Sequence, residues 1–200
     1  MVNLIQSLKD NIWAHRLVVP ANFCSVIFWQ KLFIYFWVIA VAGHYLERAW
    51  AIINRDFMGV PSWELIVPTF VPMAVPYGSG AVAVILVTVT LMKRFHLNPF
   101  AVFGINVVVA GFVEYMSAFF VVLFDGNNRY WNYSQHAFNI NGYTCLESSL
   151  LLGMVATFFV YAAYPVFEKI FAKLKYKYLN VIFWVLLAVF VVDSLYAALR

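Results

Sequence analysis

PFAVFGINVVVAGFVEYMSAFFVVLF, residues 99–124, decides the fold. It carries one charged side chain, Glu114, in a run longer than the ~20 apolar residues a helix needs to cross a hydrocarbon core about 30 Å thick. Four more runs of this kind flank it, at Leu32–Trp50, Pro76–Met92, Thr144–Pro165 and Tyr178–Leu199. The 200 residues are 64% hydrophobic and only 11% charged, with no water-soluble way to bury so much apolar surface. The chain is therefore expected to be an all-α integral membrane protein, a single domain over residues 1–200. Residues 32–199 would form a five-span helical bundle. Val2, Ile5, Leu8 and Ile12 recur at helical spacing with Lys9, Asp10 and Arg16 between them, which predicts an N-terminal interfacial amphipathic helix over residues 1–20. No cleavable signal peptide is expected, since this opening is amphipathic and no small-residue cleavage site follows.

Leu65–Tyr77 does not fit a sixth span. Pro68, Pro72 and Pro76 each remove a helical hydrogen bond and clash with the preceding turn. Irregular backbone at membrane depth survives only inside protein or beside water, so this stretch is predicted to be a proline-rich re-entrant segment. Five spans also sort the basic residues. Lys9, Arg16, Lys31, Lys93, Arg94, Lys169, Lys173, Lys175 and Lys177 fall on the N-terminal side; Arg48, Arg55, Arg129 and Arg200 fall on the other. The positive-inside rule then puts the N-terminus in the cytoplasm and the C-terminus outside the cell membrane. The net charge of +4 sits in connectors, so the expected partner is the lipid bilayer and its anionic headgroups rather than nucleic acid. Cys24 and Cys145 fall on opposite sides and cannot bridge within one chain.

DGNNRYWNYSQHAFNING, residues 125–142, joins the third and fourth spans. It is aromatic, amide-rich and nearly uncharged, and such a segment should fold at the membrane–water boundary. His136 within it has no second ligand at a useful spacing, so no metal is expected. No phosphate loop, G-x-S-x-G elbow or H-E-x-x-H pair occurs, so no cofactor is expected either.

Glu114 is costly at mid-span, by ~2.5–3.5 kcal/mol on insertion scales, and must face the bundle interior. It shares a helical face with Asn106, Ala110 and Ser117. It could be a substrate or proton site or a buried hydrogen-bond hub. Glu47 and Arg48 close the first span beside His44; Glu47, and after it Arg48, suggest a charged cluster at a cavity mouth, His44 suggests interfacial snorkelling, and Arg48 could pair with Glu114. Thr144-Cys145-Leu146-Glu147 reads as a capping box that starts the fourth span. Asp193 near the end of the last span is expected to pair with Arg200.

Trp131-Asn132-Tyr133-Ser134, Phe138-Asn139-Ile140-Asn141-Gly142, Cys145-Leu146 and Ser149 to Gly153 resemble an ordered motif set. So do Gly43 to Glu47, Pro76-Tyr77-Gly78-Ser79-Gly80-Ala81, and Glu114-Tyr115-x-Ser117. The set resembles that of the ABC-transporter type IV, or CmpB-like, permeases, to which the animal transmembrane protein 229 proteins look related. Asn132 stands where that family usually has Asp. The resemblance implies a permease-like protein that binds or translocates a small solute or ion through an outward-facing pocket. Glu47, Tyr77, Ser79, Glu114, Trp131 and Asn139 would line it, supported by Arg48, Gly78, Gly80, Ser117, Asn141, Glu147 and Asp193. ATP drive would require a separate ATPase subunit on the cytoplasmic face, and a homo-oligomer is compatible with the design. The rival classes are a membrane-embedded enzyme acting on a lipid or isoprenoid headgroup, with Glu114, His44 and His136 as acid–base groups, and a non-catalytic accessory or sensor subunit. No nucleophile–base pair is legible, which favours the permease.

Overall fold

The computed structural model describes residues 23–53, 71–128 and 130–199, the backbone alone from 50 to 53. The expected interfacial helix over residues 1–20 and residues 65–70 of the re-entrant segment lie outside them. The described residues form no strand beyond an isolated bridge between Ile140 and Thr144. Five helices are long and apolar enough to cross a membrane. They are α1 (Val26–Ile53), α2 (Val75–Phe95), α3 (Pro99–Asp125), α4 (Leu146–Lys173) and α5 (Tyr176–Ala198).

The ends differ from the hydropathy limits for local reasons. Pro76 sits in the first turn of α2, where its missing N–H costs nothing, so Val75–Tyr77 are helical rather than part of an irregular segment. Residues 71–74 are non-helical, and the Ala74 N–H donates to the Ala40 carbonyl at 2.9 Å. α1 thus satisfies non-helical backbone beside it, as low-dielectric surroundings require. α4 continues past Pro165 because a π-helical turn at Phe159–Ala163 precedes the proline and absorbs its missing donor. α2 has a similar turn at Ile85–Val89.

α2 packs on α1, α3 and α4, and α5 leans on α1. Small residues set these distances. A Cβ on Gly78 would lie 2.6 Å from the Phe36 carbonyl oxygen, and one on Gly43 would overlap the Tyr77 ring. Between α3 and α4, the broadest pairing, a Cβ on Gly111 would come within 2.7 Å of Ser149 Oγ. These close approaches substitute for a hydrophobic driving force that lipid does not supply. Aromatic packing adds to them. Tyr35 of α1 meets Phe159, Tyr164, Phe167 and Phe171 of α4 at ring distances of 5.4–6.1 Å, each pair worth roughly 0.5–1.5 kcal/mol. Phe33 meets Phe183 and Phe190 of α5 at 5.5 and 5.9 Å. The outer faces of α3 and α5 expose Val108, Phe112, Phe119, Trp184 and Val192, the apolar surface a lipid-facing helix presents.

Two polar clusters lie away from the 125–145 connector. Thr88 donates to Asn106 Oδ1 at 2.6 Å, and Asn106 Nδ2 donates to Thr157 at 3.0 Å, so one amide ties α2, α3 and α4. Near the start of α1, Lys31 Nζ lies 2.9 Å from Glu168 Oε2, Tyr35 donates to Glu168 Oε1 at 3.0 Å, and Gln30 Nε2 donates to Asn180 Oδ1 at 2.7 Å.

Candidate functional site

α3 and α4 run antiparallel with a large offset. Gly111 faces Ser149 and Gly153 faces Val107, so α4 begins at the level of Glu114. From Glu114 to Asp125, α3 extends past that level by about 16 Å at 1.5 Å per residue. The connector must therefore descend beside α3 before α4 can start.

Its fold follows from its amides and turns. Gly126, in the left-handed region, ends α3, and Asn128 Oδ1 accepts from the Tyr130 and Trp131 N–H groups at 3.2 and 3.5 Å. Asn132 Oδ1 accepts from Ser134 N and Oγ at 2.9 and 2.6 Å. An aspartate would accept both bonds equally well, so the departure from the resembled motif leaves this turn intact. Asn139 Nδ2 donates to the His136 carbonyl at 2.8 Å and its Oδ1 accepts from Gly142 N at 3.1 Å. Gly142 is in the left-handed region, with φ at 70°, and a Cβ there would also press on Ser134 Oγ. The Trp131 indole N–H donates to the Tyr143 carbonyl at 2.8 Å, and Asn141 Nδ2 donates to the Tyr115 hydroxyl at 3.0 Å.

This framework delivers hydroxyls to Glu114, which is 9% exposed. Tyr133 donates to Oε1 at 2.9 Å; Thr144 and Ser148 donate to Oε2 at 2.5 and 2.7 Å. The carboxyl group thus accepts three hydrogen bonds from neutral hydroxyls. Ser148 stands in the first turn of α4, an end of the helix that favours negative charge. The Tyr77 hydroxyl lies within electrostatic reach of both the Glu47 and Glu114 carboxylates, so these three residues share a neighbourhood. Burial and the Glu114 carboxylate both push the Tyr133 phenol well above its ordinary value.

Other residues fall differently from expectation. Arg48 is exposed, and among the described residues the hydrogen-bond partners of Glu114 are hydroxyls rather than Arg48. His44 is buried at 5% exposure, beside the Tyr45 ring, instead of snorkelling. Ser117 donates to the Val113 carbonyl of its own helix at 2.7 Å, and the buried stripe of α3 is Val102, Asn106, Glu114 and Ala118. Gly78 packs tightly, whereas a Cβ on Gly80 would meet no atom within 4 Å, so Gly80 does not bring backbones together. Ser79 is half-buried between them. Asn139, Asn141 and Trp131 spend the polar atoms described above on the connector and on Tyr115. The cap of α4 is shifted by one residue. Cys145 is the N-cap with Ser148 at N3, which frees Thr144 for Glu114 and leaves Glu147 exposed, 2.7 Å from His136 Nδ1. Asp193 is buried and accepts from the Val71 N–H at 3.4 Å; Arg200 is outside the described residues.

Tyr133, Thr144 and Ser148 escaped sequence reasoning as partners of Glu114, because a hydroxyl in a connector carries no signal of its target. Glu168 escaped too. Its spacing with Tyr164 and Phe171 puts a carboxylate on the apolar face of a helix, which is a readable sign of an internal partner.

A polytopic membrane protein with a buried, hydroxyl-clamped carboxylate under a folded connector is the class these features define. A family model described as Putative ABC-transporter type IV matches residues 34–198. The chain belongs to that family. No curated protein and no solved structure matches it.

Proposed function

We propose that this protein is the membrane component of a transport system for a small cationic solute or ion, with Glu114 as its recognition group. The observation that carries this is a buried carboxylate whose described partners are three neutral hydroxyls. Its charge lacks a countercharge among them, and a cation or an amine could supply one. Tyr133 comes from the connector and Thr144 from its end, so lifting the connector would withdraw two of the three hydroxyls from the acid. Glu47, Tyr77 and Ser79 would complete the approach, with Trp131 and Asn139 holding the lid's shape. Family membership and five apolar helices are consistent with a permease.

In this reading the end bearing Lys93, Arg94, Lys169, Lys173, Lys175 and Lys177 is cytoplasmic and would seat a separate ATPase subunit, while the connector faces outward. The kinship with transmembrane protein 229 rests on the shared motif order. Proteoliposomes screened with monovalent cations and small amines test the function. Flux or binding should be found and should fall sharply in Glu114→Gln with insertion intact; a cation flux indifferent to that change sinks the proposal. Side-selective cysteine labelling near residues 93 and 138 tests the orientation.

A further inference from the structure

We infer that His136, Cys145 and Glu147 form a zinc site that staples the connector to the start of α4. A ring nitrogen of His136, Sγ of Cys145 and a carboxylate oxygen of Glu147 all lie within 4.8 Å of one another. Neither the spacing of one histidine nor a lone cysteine announces this set; the turn through Asn139 and Gly142 folds the connector back on itself.

The donor chemistry selects the ion. A thiolate and an imidazole are poor ligands for calcium or magnesium and good ones for zinc, and one carboxylate completes a three-ligand set with a fourth position open. Bond lengths of about 2.0–2.3 Å in a tetrahedron put ligand atoms roughly 3.3–3.6 Å apart. His136 Nδ1 and Glu147 Oε2 are now 2.7 Å apart, as a hydrogen-bonded pair. They must open by less than about 1 Å to admit a metal. Both have the freedom to do so, with side chains 40% and 67% exposed. Cys145 is the fixed point. It is 2% exposed, and its sulfur accepts from the Ser148 N–H at 3.4 Å. That bond satisfies one lone pair and leaves others for a metal.

The site borders the Glu114 clamp on two sides. Ser148 Oγ touches Cys145 Sγ at 3.5 Å and Glu114 Oε2 at 2.7 Å. The Tyr133 ring, whose hydroxyl holds Oε1, packs edge-on against His136 at 5.5 Å. Bound zinc would hold both supports of the lid in place. The inference stands whether or not a solute passes through Glu114.

The test uses the full chain in detergent, stripped with a chelator, then titrated with Zn²⁺ against a chromophoric competitor and with Co²⁺ as a spectroscopic probe. One equivalent should bind, and Co²⁺ should give a sulfur-to-metal charge-transfer band. Cys24→Ser should keep the band and Cys145→Ser should abolish it. Cys145 is buried and its replacement could unfold the protein, so exposed Glu147→Gln serves as the second variant. It should weaken Zn²⁺ binding by about tenfold or more, since even outer-shell changes cost 10–100-fold. Its metal-free melting temperature should stay at the wild-type value. No charge-transfer band, a band that survives Cys145→Ser, or Zn²⁺ affinity unchanged in Glu147→Gln would each reduce the cluster to a histidine–glutamate pair beside a capping thiol and overturn the inference.

Discussion

Tyr133, in the connector, donates its hydroxyl to Oε1 of Glu114, inside α3, at 2.9 Å. A residue beyond the end of the helix thus reaches a carboxylate three turns inside it, and the connector becomes part of the bundle rather than a tether.

Replacing Glu114 separates charge from shape. Glu114→Gln keeps the volume and one acceptor, and should cost roughly 1–3 kcal/mol. Glu114→Leu strands the Tyr133, Thr144 and Ser148 hydroxyls and should cost more. Thermal unfolding in detergent should rank wild type above Gln above Leu. A Leu variant as stable as wild type would show that the hydroxyls do not depend on the acid.

The α3–α4 contact predicts opposite outcomes at two glycines. A Cβ on Gly153 would fall 2.9 Å from the Val107 Cα and N, backbone atoms that cannot step aside. Gly153→Ala should therefore destabilise by about 1–3 kcal/mol. Gly80→Ala meets open space and should gain about 0.5–1 kcal/mol from helix propensity. Melting temperatures that move the same way in both variants would contradict this packing.

At the other end, Lys31 and Glu168 should be coupled. Lys31→Met leaves the mostly buried Glu168 with Tyr35 as its remaining described partner, at a cost of about 1–3 kcal/mol. Adding Glu168→Met should restore much of the loss, because the desolvated charge is gone. Additive losses in this double-mutant cycle would show that the two residues act independently.

Alkaline pH should loosen the lid. The Tyr133 phenol is held above its ordinary value of 10.0, first by burial and then by Glu114. A raised value means that the folded chain keeps a proton an unfolded chain loses. The stabilisation is full below about pH 10 and declines as pH climbs toward the folded value. Wild type should therefore lose more melting temperature than Tyr133→Phe between about pH 9 and about pH 11. Parallel slopes for the two would rule out a linked titration at Tyr133.

The helices were legible because spanning is a local, additive property: about 20 apolar residues suffice whatever their neighbours. The burial of Glu114 was legible for the same kind of reason, since lipid offers a carboxylate no partner. Pro76 misled only in scale, because the sequence shows that a proline breaks a helix but not that it can open one.

The amino-acid sequence by itself determined that this chain is an apolar helical bundle, with five spanning helices in its described part, and that Glu114 must turn inward. Tertiary structure alone decided which groups meet Glu114 and which glycines matter. Gly78 and Gly80 look alike in sequence, yet one presses on Phe36 and the other on nothing. The offset that sets α4 at the level of Glu114 comes from matching Gly111 to Ser149 and Gly153 to Val107, and such pairing is a property of two surfaces together. The same offset brings down the connector and, with it, Tyr133 and Thr144, because backbone and side-chain polar groups in a low-dielectric bundle must find partners wherever the packing leaves them.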